Sequence, residues 1–228
     1  LTEEKKVLTK KELKKAYEAG LIDEQKFKEE LFLIETTKPK QRQKKKLPVA
    51  LTEDEFGNLI RNTKKDRFKL AFLFGFGAGM RLSEILGGVR ENGEIMPPLT
   101  ADKIDMQRKT IYIKDAKGGK DRIVPVPKGL KIEHIKLLPL NQGYSNIKSA
   151  RRAFEIAFKV AAERAGLLKI KPGLHFHSLR HSFGTLLANS GMPIHHIRTL
   201  MGHSNISTTN IYLEANPKDA LKSYEELF

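Results

Sequence analysis

A chain of 228 residues without a single cysteine excludes disulfide scaffolds, thiolate metal sites and thiol catalysis. No apolar run approaches the roughly 18 residues that a membrane span needs, and no signal peptide is visible. The formal net charge is +15, and because residues 1–37 hold 8 basic against 9 acidic groups, the excess sits in 38–228. A domain this basic faces a polyanion, most commonly nucleic acid, and the lack of cysteine fits an intracellular, cytoplasmic protein.

In chain order, residues 9–34 read as two short helices. Thr9 and Glu12 have capping-box spacing, Gly20 stops the first helix and Asp23 caps the second. Residues 38–46, KPKQRQKKK, offer six basic side chains and nothing to bury, and read as a linker. The main domain is expected from Leu47. Thr52 with Glu55 caps a helix through Ile60, and 68–76 is a buried apolar helix. Gly75, Gly77 and Gly79 then break the chain before a new helix at Arg81. Residues 109–126 alternate with period two and read as a β-hairpin turning at Gly118-Gly119. Ser145 is the expected cap of a helix running to Ala165. One face of that helix is apolar (Ala150, Phe154, Ala157, Phe158, Ala161) and the other basic (Lys148, Arg151, Arg152, Lys159). Three helices follow near 177–190, 193–201 and 207–214, then a tail helix over 218–228. The fold class is mainly α with a small antiparallel β-sheet.

Four segments share one chemical theme. GFGAGMRLSEIL delivers Arg81 to a helix start, with Glu84 one turn on to brace its guanidinium. DAKGGKDR is a hairpin tip with Lys117, Lys120 and Arg122. HFHSLRHSFGTLL sets His177, Arg180 and His181 at i, i+3 and i+4 beside an apolar stripe of Leu179, Phe183, Leu186 and Leu187. LMGHSNISTTNIYLEA ends a helix at Gly202, puts His203 in the turn and carries Tyr212 nine residues later. Breaking a phosphodiester requires a nucleophile, neutralisation of the non-bridging oxygens and a proton for the leaving oxygen. Arginines, histidines, a lysine and a tyrosine supply all three. His195 and His196 have no third ligand at metal spacing, so no metal and no cofactor are expected.

These motifs, AGMRLSE, AKGGKDRIVPVP, HSLRHSFGTLL and LMGHSNISTTNIY in that order, resemble the catalytic domain of the tyrosine recombinase (phage integrase) family over about residues 48–217. The lack of cysteine and the lysine-rich helices further resemble archaeal virus or plasmid integrases. The resemblance implies that Arg81 and Arg180 clamp the scissile phosphate and that Lys117, with Lys120 as the alternative, protonates the departing 5′ oxygen. It implies that His177 accepts the tyrosine proton, His203 hydrogen-bonds the phosphate and Tyr212 is the nucleophile. Glu84 and His181 support. Lys120, Arg122, Lys148, Arg151 and Arg152 are the expected DNA contacts. The implied activity is site-specific recombination through a 3′-phosphotyrosyl intermediate, without metal or ATP, with double-stranded DNA as the partner and a tetrameric synapse on it.

The resemblance departs upstream. Only 46 residues precede Leu47, fewer than the family's usual helical core-binding domain, so 1–37 is expected to be a remnant or reduced form of it. The chain also begins at Leu1, not Met, which leads us to expect further sequence before it. The domains expected are therefore 1–37, a 38–46 linker, a 47–217 catalytic domain and a 218–228 tail that docks on a neighbouring subunit. Two rivals compete: a type IB topoisomerase-like enzyme, and a non-catalytic regulator that uses 193–214 as a helix-turn-helix.

Overall fold

The structure, a computed structural model, describes residues 9–37, 48–89, 93–116 and 120–202. It divides into two compact units, Leu1–Lys46 and Leu47–Phe228. In the first, α1 (Lys10–Glu18) and α2 (Glu24–Thr37) form a hairpin. Thr9 and Glu12 exchange side-chain bonds across the start of α1, and Asp23 Oδ1 accepts from the Lys26 N–H at 2.7 Å before α2. Tyr17 stacks on Phe27 at 4.7 Å between ring centres.

The second unit opens with α3 (Glu53–Arg61), α4 (Asp66–Gly77) and α5 (Leu82–Leu86). Thr52 and Glu55 cap α3 reciprocally. Helix α4 buries Leu70, Ala71, Phe72, Phe74 and Phe76, so it is wrapped on all sides. It is packed by α7 (Ile147–Arg164) and α9 (Phe176–Asn189): Phe72 meets Phe158 edge-on at 5.4 Å and Phe176 at 5.9 Å. The glycines divide their labour differently from the sequence expectation. Gly75 and Gly77 lie inside α4, and what they lack is a side chain. A Cβ on Gly75 would stand 3.1 Å from Leu179, and one on Gly77 would stand 2.7 Å from Pro127. Gly79 alone breaks the chain, at φ +63, and a Cβ there would strike the Phe183 ring.

The strands lie between α5 and α7. β1 (Gly88–Val89) pairs with β2 (Ile95–Met96), and β3 (Ile104–Asp105), β4 (Thr110–Ala116) and β5 (Lys120–Pro125) form an antiparallel sheet in that order. Ile111 and Ile113 of β4 face the core, as do Arg122 and Val124 of β5, while Tyr112 and Ile123 face out. Two short helices, α6 (Ile132–Ile135) and α8 (Leu167–Ile170), precede and follow α7, and α10 (Ile194–Met201) is the last among the described residues. The cap of α7 is Asn146, not Ser145. Asn146 Oδ1 accepts from the Ser149 N–H at 2.8 Å, whereas the Ser145 hydroxyl bonds the Ser149 hydroxyl and the Asn146 side chain. Among the described residues no helix is long and apolar enough to cross a membrane.

Candidate active site

Glu84 is the centre of the arrangement. Its carboxylate, 6% exposed, takes four bonds from two arginines. Oε2 accepts from the Arg81 backbone N–H at 2.7 Å and from Arg122 Nη2 at 2.9 Å. Oε1 accepts from Arg81 Nη1 at 2.8 Å and from Arg122 Nη1 at 2.7 Å. Local structure explains the meeting. Gly79 turns the chain so that Arg81 becomes the residue before α5, and Glu84 is then the third helical residue, within reach of that exposed N–H. Burial on its own would raise the Glu84 carboxyl; the charges of Arg122 and then Arg81 overcome it and hold the group below the ordinary carboxylate range. Glu84 is therefore ionised.

Arg180 joins from α9. It is 1% exposed, and its two terminal nitrogens donate to the Gly79 and Met201 carbonyls. Arg81 Nη2 donates to the next carbonyl along, that of Gly202, at 3.4 Å. The guanidiniums of Arg81 and Arg180 thus meet at consecutive carbonyls at the C-terminal end of α10, where orphan carbonyls attract cations. Gly202 ends that helix in the left-handed region, at φ +59.

The histidines stand on the first turns of α9. His177 and His181 are perpendicular at 4.9 Å, and His175 lies 6.4 Å from His177. Burial first, then the charges of His181, Arg180 and Arg81, push His177 down to about 4 even though part of the residue remains open to solvent. Burial, His175 and Arg180 push His181 down to about 4. Both rings are neutral near pH 7 and therefore able to accept a proton.

Beside them runs a groove of about 690 Å³, with Phe158, Leu168 and Leu174 in its lining and Arg81, Arg151, Lys159, His175 and His177 supplying positive or polar groups. Lys148 and Arg152 are exposed on α7, and Arg151 pairs with Glu155 at 3.0 Å. Arg122 corrects the expectation of a DNA contact at the hairpin tip. It is 8% exposed and its fork is taken by Glu84, because it lies two residues before Val124 on the inward face of β5. That alternation was the signal in the sequence, and Arg122 belongs to the support of the arginine cluster. Lys159 of the basic face of α7 also lines the groove, as does His175, which was not singled out before. Lys120 begins β5. Lys117, His203 and Tyr212 lie outside the described residues. No group of three or more His, Asp or Glu able to hold a metal occurs among the described residues.

Residues 49–219 match the model of the phage integrase family. The chain belongs to that family. Its relatives include the tyrosine recombinase XerA of Pyrococcus horikoshii, 31% identical over 80% of this chain and 62% of the relative. XerA of Thermococcus onnurineus is 33% identical over 80% of this chain and 64% of the relative. The chain thus spans less than two thirds of these proteins. Among solved structures, that of XerA recombinase matches with a TM-score of 0.55 at 25% identity, covering 88% of this chain and 71% of the other. XerH bound to palindromic difH substrate in a post-cleavage complex matches with a TM-score of 0.57 over 79% of this chain and 53% of the other; its 24% identity supports the fold alone. The family's fold is the one expected, mainly helical with small antiparallel sheets.

Proposed function

We propose that the protein is a site-specific DNA recombinase that cuts and rejoins strands through a covalent bond to Tyr212. The observation that carries the reading is the convergence of Arg81 and Arg180 on the end of α10, one residue before His203, beside a groove with a basic rim. The Tyr212 phenolic oxygen attacks the scissile phosphorus, forming the new O–P bond while the bond to the 5′ oxygen breaks. Neutral His177 takes the phenolic proton, Lys117 gives one to the departing 5′ oxygen, and Arg81, Arg180 and His203 bear the charge on the non-bridging oxygens. A 5′ hydroxyl from a partner strand then reverses the step. The phosphotyrosyl bond conserves the energy, so no ATP enters. Lys120 is the second choice for the proton donor. His181 supports His177.

Lys148, Arg151 and Arg152, with Lys159, lie along the duplex backbone in this reading. Recombination joins two duplexes, so a four-subunit synapse with the 218–228 tail docked on a neighbour is the assembly proposed. Residues 1–37 and the basic 38–46 segment add further DNA contacts in this reading.

A nicked duplex that loses its 5′-hydroxyl fragment on cleavage traps the intermediate. Unmodified protein is expected to yield a protein–DNA adduct that survives denaturing electrophoresis, and Tyr212→Phe none. An adduct from Tyr212→Phe, or a gel shift without any adduct from unmodified protein, would overturn the proposal; the second result is the one a helix-turn-helix regulator produces. Relaxation of supercoiled plasmid without joining of two sites would point to a topoisomerase.

A further inference from the structure

We infer that Arg122 is a positioning residue of this strand-transfer site, acting through Glu84 on Arg81 at the end of α10; the inference rests on the function proposed above. Arg122 stands on β5, its backbone held across from Ile113, and its Nη1 and Nη2 clamp both carboxylate oxygens of Glu84 at 2.7 and 2.9 Å. Its Nε is buried and without a hydrogen-bond partner. Burying a guanidinium and leaving one of its donors unmatched costs free energy that an apolar side chain on the same strand face would avoid. What the arrangement supplies is geometry. A carboxylate alone with one arginine draws the guanidinium into a two-bond fork. With Arg122 occupying the other side of Glu84, the Arg81 guanidinium bonds the carboxylate through Nη1 alone, beside the Arg81 backbone N–H, and keeps Nη2 turned to the end of α10. Gly202 closes the figure. A Cβ there would lie 2.9 Å from both Cδ and Nη1 of Arg122, so a side chain at this position would push Arg122 from its place on Glu84.

Lysine at 122 keeps the charge and loses the fork. Cleavage by Arg122→Lys is measured at saturating nicked duplex, per DNA-bound protein, so that unfolded molecules do not count. The expected result is about a 30- to 100-fold slower cleavage with a Kd for DNA within about threefold of unmodified protein. A duplex with a methylphosphonate at the scissile position removes the charge that a well-placed Arg81 neutralises, and on it the two proteins are expected to cleave within about threefold of each other. Glu84→Gln with Arg122→Lys is expected to be no slower on the phosphodiester than Glu84→Gln alone, because one residue acts through the other. Equal losses on both substrates, multiplying losses in the double variant, unimpaired cleavage, or lost DNA binding would each overturn the inference. If unmodified protein cleaves neither duplex, the strand-transfer reading falls and takes the inference with it.

Discussion

His177 and His181 show how one residue pair ties chemistry to stability. Their pKa values, held at about 4 in the fold, lie below the ordinary 6.5 they regain on unfolding. The unfolded chain therefore binds more protons between those limits, and stability is lost as pH falls from about 6.5 toward 4. The melting temperature is expected to drop across pH 6.5 to 5, above the range where Glu84 and Glu55 begin to protonate. A His177→Gln/His181→Gln variant is expected to flatten that drop. An equal slope in both proteins would place the proton uptake elsewhere. The same neutrality leaves His177 free to act as a base at neutral pH.

At the scale of elements, the turn between α4 and α5 is the hinge on which the site hangs. Gly79 → Ala would force a left-handed backbone on a side chain and drive its Cβ to 2.4 Å from the Phe183 ring. The expected cost is about 2–4 kcal/mol, from strain and overpacking together, read as a lower midpoint in urea. Cleavage should suffer as well, because the Gly79 carbonyl orients Arg180. Gly20 → Ala, where a Cβ meets nothing within 4 Å, should show only the backbone strain. Much of this architecture could be read in the amino acids. The Thr52–Glu55 cap, the hairpin, the Arg81–Glu84 brace and the end of α10 at Gly202 follow from spacing that local physics dictates. Other features needed the third dimension. Gly75 and Gly77 read as breakers because their packing partners, Leu179 and Pro127, are 50 or more positions away and nothing local announces them. Arg122 was legible in principle from its phase with Val124, but the charge drew attention outward. The register of β4 with β5 and the carboxylate waiting at Glu84 settle where it goes.

For the whole molecule, the proposed DNA binding by the basic excess beyond residue 37 predicts ion release. If Arg81, Lys148, Arg151, Arg152 and Lys159 each engage a phosphate, log K should fall with log salt at a slope of about −4 to −5. Titrations of a fluorescent duplex from low to high salt check this, and a slope near zero would mean that the groove is not the DNA path. Charge reversal at Arg152 or Lys148, both exposed on α7, should reduce the slope by about one each while leaving the melting temperature unchanged.

Three guanidiniums and one carboxylate meet around Glu84, which leaves two positive charges uncompensated. A phosphodiester at rest carries one negative charge, whereas the five-coordinate phosphorus of strand exchange gathers about two on its outer oxygens. In the proposed strand transfer the cluster would accordingly be matched to the summit of the reaction and over-charged for intact DNA. Its selectivity should therefore lie in how fast a strand opens, with the hold on uncut duplex left to the cations of the groove.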